Sequence, residues 1–195
     1  MEDFKDNKKF QNIVNTAKEL FWKYGIKRVS IEEICTETPV SKMTFYKFFK
    51  NKEVLAEYLL KEVLDGWHHE YRWIMKQDLS FTDKIKKVIA LEQSASSDMS
   101  EEFIGDIYNN EFTELQKLID SERDKYHAEI VQDMIKAQKQ GEIRADIKPE
   151  FILYLLEDIG SKVMDEKLSE LYGSKQALIM ELTNYFFYGI MNGEK

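Results

Sequence analysis

The sequence predicts an all-α protein, and three observations carry that expectation. Leu, Lys, Glu and Ile dominate a chain of 195 residues that has only 2 prolines and 8 glycines, a mixture that favours helix over strand. Apolar residues recur at spacings of three and four along most of the chain, as one buried helical face requires. No segment alternates apolar and polar residues as a half-buried strand would.

The elements follow in order. Phe10, Ile13, Val14, Ala17, Leu20, Phe21 and Tyr24 form one helical stripe, and Gly25 stands directly after it, where a helix end favours glycine. Ser30-Ile31-Glu32-Glu33 reads as a capping box that opens a short second helix carrying Ile31, Ile34 and Cys35. Thr38-Pro39 ends it, because a residue before proline avoids the helical region. Ser41 caps a third short helix, 42–49. Asn51 caps a long fourth through Val54, Leu55, Tyr58, Leu59 and Val63. Further helices are expected near 82–95, 100–110, 111–140, 149–167 and 175–192, about nine in all. Gly141 closes one of them, Pro149 suits a first helical turn, and Gly173-Ser174 separates the last two. The expected organisation is a helix-turn-helix domain, 1–50, followed by a helical domain, 51–195.

Composition bounds the function. Cys35 is the single cysteine, so no intrachain disulfide forms. The charged N-terminus lacks the apolar run of a signal peptide. The greasiest stretch, 178–191, is broken by Glu181, Thr183 and Asn184 and reads as a buried helix rather than a membrane span. A cytoplasmic protein without membrane contact is expected. The formal net charge is −8 but unevenly spread: residues 1–55 hold 11 Lys+Arg against 8 Asp+Glu, a balance of +3. The remainder holds 17 against 28, a balance of −11. A mildly basic head on an acidic body is compatible with DNA, which needs a local basic face rather than a basic chain.

Two short helices joined by a tight turn and braced by a longer one make a helix-turn-helix. On a helical wheel of 42–49, Phe45 and Phe49 share the inward face. Met43, Thr44 and Lys47 point the other way, with Lys42 and Tyr46 on a flank. This face offers ammonium, hydroxyl, phenol and thioether groups suited to a major groove: lysine to guanine or phosphate, threonine to a base edge, methionine to a thymine methyl. At the start of the fourth helix, Asn51 and Lys52 combine free backbone N–H groups with positive charge, as phosphate sites do. Lys52 and Tyr46 are the candidates for holding register on the DNA backbone. Ser30, at the second helix start, is a candidate for another phosphate, and Ser41 completes the set.

The ordered string Ala17-Lys18-Glu19-Leu20-Phe21, Tyr24-Gly25, Val29-Ser30-Ile31-Glu32-Glu33-Ile34 and Val40-Ser41-Lys42-Met43-Thr44-Phe45-Tyr46-Lys47-Phe48-Phe49-Lys50-Asn51-Lys52-Glu53 resembles the tetracycline-repressor (TetR) family over residues 10–55. The resemblance implies a dimeric, ligand-responsive transcriptional regulator, usually a repressor, on a palindromic double-stranded DNA operator. Three positions depart from the family pattern. Pro39 stands where the turn usually has glycine; since proline does not supply positive φ, a different turn shape is expected. Met43 replaces a small residue, and Phe48 replaces a frequent histidine, removing a phosphate contact.

Beyond residue 55 the resemblance transfers architecture rather than residues. The last two helices are apolar on more than one side, as helices buried on two sides are. In the family such a pair meets its copy in a four-helix interface. The candidate dimer residues are Phe151, Leu155, Ile159, Val163, Leu178, Leu182, Phe186 and Ile190, with Gly160-Ser161 allowing close approach. Two-fold DNA half-sites also call for a homodimer. Trp67, His68, Tyr71, Phe103, Tyr108, Phe112 and Tyr126 are the candidate lining for a small apolar or aromatic effector, with Arg72 and Glu111 as polar anchors.

Asp65-x-x-His68 and Asp124-x-x-His127 each put a carboxylate one helical turn before a histidine. Di-metal bundles use glutamate there, with further glutamates from other helices, so no metal site is expected. No phosphate loop, nucleophile elbow or zincin motif occurs, so neither a cofactor nor catalysis is expected. Another reading is a helical ligand-binding or protein-interaction module without DNA binding, motivated by Pro39, Met43 and the acidic total. A helical metalloenzyme ranks third.

Overall fold

The computed structural model describes residues 4–108 and 112–191. Ten helices stand among the described residues: α1 Lys8–Tyr24, α2 Ile31–Glu37, α3 Lys42–Phe48, α4 Lys52–Met75, α5 Phe81–Ser96, α6 Glu101–Tyr108, α7 Thr113–Lys139, α8 Pro149–Val163, α9 Glu166–Tyr172 and α10 Lys175–Ile190. The all-α expectation holds, with one helix more than expected. The helix expected over 149–167 ends earlier, as α8 at Val163, and a separate α9 begins at Glu166. Asp165 separates them because its carboxylate accepts the Leu168 N–H at 3.1 Å and starts a new helix. Glu111 and the environment of Gly160 lie outside the described residues.

The chain packs as two compact units, 1–64 with 98–119, and 65–97 with 120–195. This packing cut and the expected functional cut at 50/51 are different divisions. In the first unit Phe10, Ile13, Ala17, Phe21, Val29, Ile34, Phe45, Phe49 and Leu55 bury almost completely, together with Phe103 and Leu115 from farther along the chain. Asn7 starts α1, accepting the N–H groups of Lys9 and Phe10. Gly25 ends it at φ 81°, with its N–H donating to Phe21 O at 2.8 Å. A Cβ at this position would lie 2.7 Å from Asp106 Oδ2, so glycine is required by the backbone and by the approach of α6. The second unit closes over Tyr71, Ile74, Phe81, Ile85, Val88, Ile130, Met134, Ile143, Ile152 and Phe186. Among the described residues no helix is long and apolar enough to cross a membrane.

Candidate nucleic-acid interface

The α2–turn–α3 motif lies in the first unit and is fixed at each end by local hydrogen bonds. The capping box forms as the spacing predicts: Glu33 N–H donates to Ser30 Oγ at 3.2 Å, and Ser30 N–H donates to Glu33 Oε2 at 2.8 Å. The Ser30 hydrogen bonds hold the Glu33 carboxyl below its usual range. Caps of this kind contribute about 0.5–2 kcal/mol.

At the other end of α2, Val40 N–H donates to Cys35 O at 3.1 Å. With Thr38 as the cap, that bond is the outer bond of a Schellman closure, which asks for a left-handed residue at position 39. Pro39 occupies that slot at φ 24°. The turn therefore keeps the glycine-type path, contrary to the expected change of shape, and the pyrrolidine ring is held far from its preferred φ near −65°. Lacking an N–H, Pro39 also forgoes the second Schellman bond.

Helix α3 is capped by Ser41, whose Oγ accepts the Thr44 N–H at 3.1 Å and lies 3.0 Å from the Thr44 hydroxyl. Phe45 and Phe49 are fully buried, as the helical wheel predicts. Phe49 stacks on Phe10 at 5.2 Å between ring centroids. Phe48 also turns inward, meeting Phe10 edge-on at 5.6 Å and Phe4 at 5.2 Å. Phe48 is thus a third root residue of α3. Its spacing of three from Phe45 was the available signal.

The outward face is open. Met43 is 84% exposed and Tyr46 54%. Lys42 and Lys47 are exposed, and Thr44 is half-buried. Lys42 forms an ion pair with Glu32 of α2, which lowers the Glu32 pKa and raises that of Lys42. The pair is open to solvent, where such pairs add little, so a phosphate or base edge can take the carboxylate's place.

Lys52 is placed differently from expectation. Its Nζ donates to Ile26 O at 2.8 Å, Lys27 O at 2.8 Å and Val29 O at 2.9 Å. All three ammonium protons are thus committed to the loop that joins α1 to α2. The residue braces the motif from within, which no local sequence pattern announces, because its partners lie more than twenty residues away. Asn51 caps α4, its Oδ1 accepting the Val54 N–H at 2.9 Å. Sequence reasoning also passed over Arg28, whose guanidinium lies 4.3 Å from the Tyr24 ring centroid and 3.6 Å from Glu33 Oε1.

The effector candidates separate by unit. Trp67, His68, Tyr71 and Tyr126 come together in the second unit. Tyr126 meets Trp67 edge-on at 4.1 Å and stacks on His68 at 4.9 Å, and Trp67 stacks on Tyr71 at 5.5 Å. The Trp67 indole N–H is buried and makes no hydrogen bond. Burial pushes Glu92 up to about 7 and, with the nearby Glu92 charge, raises Tyr126 well above the usual phenol range. Phe103, Tyr108 and Phe112 belong to the first unit, where Phe103 stacks on Trp22 at 4.2 Å and Phe112 packs at the core edge. Arg72 pairs with Glu129.

The dimer candidates also separate. Val163, Leu178, Phe186 and Ile190 fill the interior of their own unit. Leu155, Ile159 and Leu182 are half-buried, and Phe151 is exposed. Tyr154 of α8 and Tyr185 and Tyr188 of α10 are also exposed, with Tyr185 at 77%.

Residues 13–59 match the family described as "Bacterial regulatory proteins, tetR family". The chain is 41% identical over 63 residues to the Transposon Tn10 TetC protein of Escherichia coli; the match spans 32% of this chain and 31% of TetC. Two solved structures share the fold over nearly the full length. The fatty acid degradation regulator FadR from Bacillus halodurans superposes with a TM-score of 0.69 at 15% identity, covering 93% of this chain and 96% of FadR. The transcriptional regulator FadR from Bacillus subtilis, solved in complex with stearoyl-CoA, gives a TM-score of 0.69 at 17% identity, covering 93% and 99%.

Proposed function

We propose that this chain is a ligand-responsive DNA-binding regulator that represses transcription as a dimer on a palindromic operator, a reading supported by the match of residues 13–59 to the bacterial regulatory proteins of the tetR family. One observation carries the reading: α3 stands on a buried root of Phe45, Phe48 and Phe49 while Lys42, Met43, Tyr46 and Lys47 face solvent on its other side. A short helix with that polarity, capped and packed at the end of a helix-turn-helix, has the form that enters a major groove. Two copies place two reading helices on successive turns, roughly 34–36 Å apart.

The dimer proposal rests on α8 and α10, whose exposed Phe151, Tyr154, Tyr185 and Tyr188 offer a partner the large aromatic groups that interfaces favour. The proposed effector is apolar or aromatic and binds beside the Trp67–Tyr71–Tyr126 cluster. The B. subtilis FadR complex with stearoyl-CoA supports an apolar ligand for this fold. Binding acts by shifting a two-state equilibrium away from the DNA-competent form.

The test is fluorescence anisotropy with a duplex enriched from random sequence. The expected result is salt-dependent binding of one dimer per palindrome. Lys47→Ala should weaken binding to all duplexes alike and lower the salt slope by about one. If the protein enriches no duplex even at low salt, it is a ligand-binding helical module without DNA recognition.

A further inference from the structure

Asp65 and His68 lie one turn apart on α4, and α7 brings Glu122 to them. One carboxylate oxygen of Asp65, one ring nitrogen of His68 and one carboxylate oxygen of Glu122 all lie within 4.8 Å of one another. We propose that these three residues bind a divalent transition-metal ion, a site independent of the DNA-binding reading. Spacing in the sequence supplied only the first two groups, and the third ligand comes from a helix more than fifty residues away.

The geometry is close to what such an ion needs. Metal–ligand distances of about 2.0–2.2 Å set ligand atoms roughly 3.4 Å apart in a tetrahedron, so modest side-chain rotation closes the site. The imidazole is already oriented, because it stacks on Tyr126 at an interplanar angle of 15°. The Glu122 side chain is only 12% exposed, so little of its freedom remains to be lost. The donor set selects the metal class. One imidazole with two carboxylates suits zinc, manganese, iron, cobalt or nickel, whereas calcium and magnesium prefer oxygen-only shells. Two carboxylates balance the ion's charge, and three protein ligands leave coordination positions for water or an exogenous oxygen.

Asp124 and His127, the other pair at this spacing, do not join such a group among the described residues. His127 is buried instead. One feature opposes the metal: Lys125 Nζ lies 2.7 Å from Glu122 Oε1. The ammonium neutralises a ligand and must be displaced, so its removal should tighten binding.

The experiment is titration of the chelator-treated full-length protein with Co²⁺, followed by visible d–d absorption and calorimetry. One equivalent per chain and a raised melting temperature are expected. His68→Ala and Glu122→Gln should each weaken binding more than tenfold, Lys125→Met should strengthen it, and His69→Ala should leave it unchanged. Should His68→Ala fail to fold, the near-isosteric Glu122→Gln decides. Absence of stoichiometric binding by the wild-type chain, or equal affinity in the ligand variants, overturns the proposal.

Discussion

Lys52 and Lys47 are both lysines of the head, but their surroundings give them opposite roles. Lys52 satisfies three loop carbonyls, and replacing it leaves those acceptors with water or nothing. Lys52→Met should lower stability by about 1–3 kcal/mol, read as a fall in melting temperature. Lys47 is exposed on the outward face of α3, so Lys47→Ala should leave the unfolding free energy within about 0.5 kcal/mol of wild type. In the second unit, Glu92 is raised by burial from the usual 4.5 to about 7. The folded state therefore binds more protons than the unfolded chain between those values. The stability this contributes is complete below pH 4.5 and is lost as pH rises through 7. Glu92→Gln should flatten the decline and melt higher than wild type at pH 8, as pH-resolved thermal melts would report.

The turn between α2 and α3 combines a left-handed path with a residue that resists it. Pro39 at φ 24° stands far from the φ near −65° that its ring prefers and forgoes one Schellman bond. Pro39→Gly relieves both, and should raise the midpoint of denaturant unfolding without changing its slope. The helices themselves were largely legible. The stripe from Phe10 to Tyr24, the Ser30 capping box and the Ser41 cap are local patterns whose physics does not depend on the rest of the chain. What escaped was long-range or shared between faces. Glu122 meeting Asp65 and His68, and Lys52 reaching back to Val29, depend on packing that no window of sequence contains. In α8 and α10, apolar residues line both the interior and an exposed side, so periodicity could not assign Val163, Leu178, Phe186 and Ile190 to the core and Tyr185 and Tyr188 to the surface. The break at Asp165 lacked glycine or proline to mark it.

Along the chain, the balance is +3 over residues 1–55 and −11 over the remainder, so on the proposed reading the helix-turn-helix segment is the stretch whose charge suits a polyanion. The exposed tyrosines of α10 set the expected assembly. Tyr185→Glu with Tyr188→Glu should convert a dimer to a folded monomer in sedimentation velocity at micromolar concentration, and reduce affinity for a palindrome far more than for a single half-site. On the proposed reading α3 meets base edges with Met43 and Thr44. This is tested most directly by selecting duplexes from random sequence with the wild-type chain and, in parallel, with Met43→Ala and Thr44→Ala. The predicted result is a palindrome for each, with the preferred bases altered at symmetric positions in the variants. An identical site from all three, or no enriched site from the wild type at low salt, would rule out base contacts by Met43 and Thr44.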